Sequence, residues 1–164
     1  MTRSLDNLDG LSAPDAKVLD DIRTEGFHIT GVFATKDETG PDWAFSIGLF
    51  HSFGHPEVVV FGLELKICMD IISGIGRGIA KGRRYEEGKQ YGDILNDPYK
   101  CKFREVRSEH YEEYLGFALW FYERDPFPVI QCFWPHKKEK FPWEEECNRA
   151  VRPLQPLLFY RKAN

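Results

Sequence analysis

The sequence predicts an α+β fold: a curved, mainly antiparallel sheet, with the freedom to curl into a partial barrel, and about three helices. Three observations predict it. Apolar runs with strand character crowd together early, at 27–35, 43–50 and 57–63, joined by links short enough for hairpins. Helical spacing appears at 13–25, 65–82 and 109–123. Further strand-like runs follow at 99–107 and 129–134, so strands gather near both ends instead of alternating strictly with helices, which favours antiparallel over doubly wound pairing.

In chain order, Ser12 is placed to cap a helix carrying Pro14 early, with Val18, Leu19 and Ile22 on one face and Gly26 at its end. FHITGVFAT, 27–35, is β-branched and aromatic, and Gly31 within it permits a bend. Lys36 to Pro41 is a turn-rich connection. The block WAFSIGLFHSFGHPEVVVFGL, Trp43 to Leu63, reads as strand, turn, strand, with Gly54 able to take a positive φ and Pro56 pushing His55 toward an extended backbone. With Gly31, Gly48 and Gly62 along these runs, curvature is plausible.

Leu65 to Gly82 is apolar around most of its circumference and predicts a buried helix. Its four glycines imply either an irregular second half or a close approach by a neighbour. GIGRGIAKG is not a dinucleotide fingerprint, because its third glycine is misplaced and it does not open a helix after a strand. Arg83 to Pro98 is charged and turn-rich. YKCKFREVR, 99–107, alternates as a half-exposed strand with a bulge expected near Glu105. A helix is expected at 109–123 and a buried strand at 129–134. Lys137 to Lys140 is expected as a hairpin tip, 141–146 as its return, and Pro153 to Tyr160 as a last apolar segment.

At 164 residues the chain suits a flexible 1–12 stretch and one domain over 13–164. Aromatics at 15% supply a bulky core. A net charge of −4 gives no basic field for a phosphate backbone, so no nucleic acid is expected. No apolar run reaches the roughly 18–20 residues of a membrane span, and MTRSLDNLDG lacks the apolar core of a signal peptide, so the expected setting is cytoplasmic with no membrane partner. Cys68, Cys101, Cys132 and Cys147 form no C-x-x-C pair and are expected as free thiols.

EGFHITGVF, WAFSIGLF-x-x-FGHPEVVVFGL, PFPVIQCFWP, KFPWE and QPLL together resemble a bacterial family catalogued as domain of unknown function 4262. The resemblance runs from about Glu25 to Leu158 and implies no assigned reaction. Two positions depart from it: His136 stands where an acid is expected, and Glu139 where a glycine is expected.

Three kinds of chemistry compete for the candidate residues. His51 and His55 are four apart, but Gly54 and Pro56 argue against the helical turn that would aim both imidazoles at one zinc, and Glu57, His136 or a cysteine would have to complete the set. No G-x-S-x-G elbow is present, and no catalytic residue is assigned. Gln131, Trp134, His136, Trp143 and Glu144 make an aromatic and charged segment suited to a partner, its Trp residues also being candidates for the core. The leading expectation is therefore a small binding protein without catalysis, engaging a protein partner as an immunity-type inhibitor does, or associating with itself. No cofactor is expected. The alternative is an enzyme or cofactor-binding domain holding a flavin-like or metal ligand near His55, on fold analogy.

Overall fold

The computed structural model describes residues 1–34 and 40–162. The connection expected at Lys36 to Pro41 therefore lies mostly outside the described residues. Helix α1 (Ala13–Glu25) begins as its sequence requires: the Ser12 hydroxyl accepts the Asp15 N–H at 3.2 Å, and Gly26, at φ 90°, ends it. Strands β1 (His28–Val32), β2 (Trp43–Ile47) and β3 (Glu57–Phe61) form the expected antiparallel meander. Helix α3 (Leu65–Ala80) follows a short helix α2 (Leu49–Phe53). Strands β4 (Gln90–Tyr91) and β5 (Cys101–Glu105), helices α4 (Tyr111–Tyr114) and α5 (Gly116–Phe121), and strand β6 (Val129–Phe133) complete the regular elements.

The six strands lie in the order β1-β2-β3-β6-β5-β4. Every pairing is antiparallel except β3 with β6, which run parallel with Glu57 opposite Val129. The sheet is open, so the curl into a partial barrel stops short of closure.

Side chains alternate across the sheet and build two cores. On one face Val58, Val60, Ile130, Cys132, Cys101 and Phe103 pack under α3. On the other, Phe45, Val59, Phe61 and Val129 pack under α1, α4 and α5. Burying a strand such as β6 on both faces contributes roughly 1.5–3 kcal/mol per large apolar side chain.

Helix α3 runs unbroken through its glycines, and Gly76 shows why one is needed: a Cβ there would stand 2.4 Å from the Phe27 ring, which packs directly on the helix backbone. Close approach, not irregularity, is the reading the fold supports.

Three expectations are corrected. The run Trp43 to Phe50 is not one strand: Gly48, at φ 111°, turns the chain out of β2 and into α2, so His51 lies on a helix. The predicted helix 109–123 splits at Leu115 into α4 and α5. With α2 added, the described residues hold five α-helices, a loose fit to the expected number of about three. Beyond β6 no further strand forms among the described residues; 141–146 is a series of turns and 153–160 is mostly irregular, because Pro142, Pro153 and Pro156 each lack the N–H a ladder needs.

Candidate functional site

The turn between β2 and β3 is organised by one carboxylate. Glu57 is 1% exposed, and five donors converge on it. The backbone N–H groups of Gly48, Leu49 and Phe50 reach its oxygens at 2.9, 3.1 and 3.2 Å, so Glu57 caps the first turn of α2 from across the sheet. The Ser46 hydroxyl donates to it at 2.7 Å, and the Tyr122 hydroxyl donates as well. Both hydroxyls already accept backbone N–H groups, from Val58 and His51 respectively, which directs their own protons at the carboxylate.

Burial raises the Glu57 pKa above its ordinary value, against the pull of Tyr122, Ser46 and the backbone N–H groups. The three backbone N–H groups can only donate, so they favour the anion against that burial. The same burial, with Glu57 alongside, pushes the Tyr122 phenol far up and keeps it a donor.

His55 is also 1% exposed. Its Nδ1–H donates to the Pro56 carbonyl at 2.7 Å, and its Nε2 accepts the Tyr85 N–H at 3.1 Å. This pair of bonds fixes the neutral tautomer, and burial lowers the imidazole pKa. The ring orders its own turn and ties it to the chain leaving α3.

The remaining candidates stand apart. His51 is exposed, its ring edge-on to Phe121 at 5.6 Å. Gln131 is buried in β6 and donates to the Pro156 carbonyl at 3.0 Å, while its Oε1 has no hydrogen-bond partner among the described residues. Trp134 is a core residue whose indole N–H donates to the Phe61 carbonyl at 2.6 Å. His136 is half-buried and its backbone pairs with Lys140, the tip expected there. Trp143 is half-buried, stacked on Phe141 at 4.9 Å, with the cationic heads of Lys102 and Arg104 over it at 5.8 and 5.4 Å. Glu144 accepts the Phe141 N–H at 2.7 Å and so stiffens the turn.

Of these residues, Ser46 and Tyr122 join Glu57, but His51, His55 and the Trp134–Glu146 segment do not gather around one hollow. Among the described residues no group of three or more His, Cys, Asp or Glu is placed to hold a metal ion. The four cysteines are buried free thiols, as expected; Cys101 lies beside Cys132 and, together with burial, pushes its thiol up.

The concave surface lies at the end of the sheet where β3 and β6 begin and β5 ends. One recess of about 460 Å³ lies beside His55 and Pro56, walled by Arg84, Tyr85, Val129 and Ile130. A second, of about 660 Å³, is lined by Arg104, Arg107, Tyr111, Phe127 and Phe159. The two share Glu87, Glu105 and Pro128, so they adjoin and make up one grooved surface. Within it Glu87 accepts the Glu105 N–H and lies 3.3 Å from Arg104 Nε. Arg84 donates to the Phe53 carbonyl at 2.8 Å, anchoring one wall to α2. Pro135, Glu139 and Phe141 line a separate hollow of about 480 Å³ near Gln90 and Lys100.

Sequence reasoning missed most of the groove. Arg84 to Glu87 could be flagged only as a charged, turn-rich stretch. Phe159 gave no signal at all, since only tertiary packing brings it against Arg104, whose guanidinium sits 3.8 Å from its ring.

An open sheet covered on both faces by helices, with charged recesses at one end, defines an α+β domain. A family model described as Domain of unknown function (DUF4262) matches residues 21–148, and the chain belongs to that family. No curated protein and no solved structure matches the chain.

Proposed function

We propose that this chain acts by binding, without chemistry of its own, and that the groove from His55 to Phe159 receives a segment of a protein partner. The observation that carries the reading is a pair of adjoining recesses that share Glu87, Glu105 and Pro128 and are lined by both signs of charge and by aromatic rings. Mixed charge beside aromatic rings is a composition that anchors and registers a polypeptide. His55 and Glu57, the residues best suited to proton transfer, have their hydrogen-bonding capacity committed inside the fold, which also favours binding. An immunity-type inhibitor, small and acidic, is one concrete form of such a protein.

The test is retention from native lysate on immobilised protein, comparing the natural chain with Glu105→Lys and Arg107→Glu. A partner held by the natural chain and released by both reversals supports the groove. Recovery of no protein, or of proteins indifferent to both changes, overturns it.

The recess beside His55 favours a second reading, a flat flavin-like ligand laid between Tyr85 and Ile130 with Arg84 at its rim. The absorbance spectrum of freshly purified protein decides it: a flavin band supports this reading, and a bare protein spectrum with no metal by elemental analysis removes it.

A further inference from the structure

The two edges of the sheet are protected differently. At one edge β4 is only two residues long, and beyond it Gly88 N–H donates to the Phe103 carbonyl at 2.7 Å while the Glu87 carboxylate takes the Glu105 N–H. That edge is blocked by its own chain. At the other, β1 pairs only with β2, and among the described residues its backbone makes no other ladder bond.

Natural edge strands are shielded by charge, proline, bulges or a covering element. β1 has none of the first three: Gly26 to Ala34 contains no Asp, Glu, Lys, Arg or Pro, and its register with β2 runs without a bulge from His28 to Val32. Phe33, just past the strand, is 72% exposed.

We propose that β1 pairs with β1 of a second copy of this chain, joining two six-stranded sheets into one. Antiparallel pairing of identical strands closes on a two-fold axis and leaves no free end to propagate. The register centred on Thr30 uses the whole strand: Thr30 faces Thr30, Ile29 faces Gly31 and His28 faces Val32. No like charges meet. One residue beyond the strand, Phe33 faces the second copy's Phe27, an aromatic cross-strand pair.

An independent observation falls on the same axis. The Thr30 hydroxyl oxygen is buried and has no hydrogen-bond partner among the described residues. Directly opposed threonines hydrogen-bond across a strand pair, so a rotamer change satisfies both copies at once. A foreign peptide would have to supply that hydroxyl by chance, whereas a second copy always does. One strand pair with its flanking aromatics buries less than the ~1,200 Å² of a standard interface, so the dimer has a dissociation constant in the micromolar range.

The experiment is sedimentation equilibrium of the full chain from about 1 to about 200 μM, with hydrogen exchange at both ends of that range. The expected mass climbs from 19.1 kDa toward twice that value, and the amides of 28–32 become protected as it does. Thr30→Lys, which sets two ammonium groups face to face, and Phe33→Lys, at an exposed position, each weaken association about tenfold or more. A chain still monomeric at the upper concentration overturns the proposal. So does a dimer whose 28–32 amides gain no protection, or one that both lysines leave intact.

Discussion

The turn that ends β2 and the chain that follows β6 solve the same problem with different chemistry. In each, a side chain replaces backbone pairing that the local sequence denies. At the turn, Glu57 brings a full charge and collects five donors. After β6, Gln155 lies beside Trp134 as a neutral substitute strand: its Oε1 accepts the Trp134 N–H at 3.0 Å and its Nε2 donates to the Trp134 carbonyl at 2.8 Å. The charged solution is all or nothing, because a buried anion and its donors fail together. The neutral one is graded, since an amide can lose one bond and keep the other.

The sharpest way to break this comparison is Glu57→Gln, which keeps shape but turns an NH₂ group toward donors. It should cost about 3 kcal/mol, read as a lowered urea midpoint with an unchanged slope. A loss no greater than that of Gln155→Ala would erase the distinction. Gln155→Ala strands two backbone groups in the core and should cost about 2 kcal/mol in the same measurement, with the Trp134 fluorescence environment changed.

Acid should expose the turn further. Burial lowers the pKa of His55, and of His28, so the unfolded chain takes up protons that the folded chain resists. Stability is therefore fully present above the ordinary value of about 6.5 and falls as pH drops below it. Imidazole titration by NMR checks the sign: a His55 midpoint at or above 6.5 would contradict it. The smallest effect expected is at Glu139, whose φ of 58° is a left-handed conformation that costs a side chain about 1 kcal/mol. Glu139→Gly should raise the melting temperature by a degree or two, and a fall would show that the side chain does more than fill the turn.

The sequence made the meander, α1, α3 and the strand at β6 legible because each rests on local periodicity and on turn residues that act where they stand. Gly54 does take a positive φ. The glycine expected at position 139 now has its physical reason in that residue's φ. What stayed hidden depends on partners far along the chain: Tyr122 reaching Glu57, Gln155 reaching Trp134, Phe159 over Arg104. Trp134 stays open between core and partner surface in the sequence, and Gln131 stands among the surface candidates, because composition reports that an aromatic or an amide is present, not which side of a sheet it meets. The short α2 escaped because a Glu eight residues downstream of its first residue supplies the cap that no local residue offers.

The parallel seam between β3 and β6 has a bearing on biosynthesis. Val59 meets Gln131 only after some seventy intervening residues have left the ribosome, and Tyr122 arrives just before them. Until then the nascent meander presents β3 as a bare rim and Glu57 as a charge with one donor missing. The sheet becomes continuous only when the late strand slots between β3 and β5.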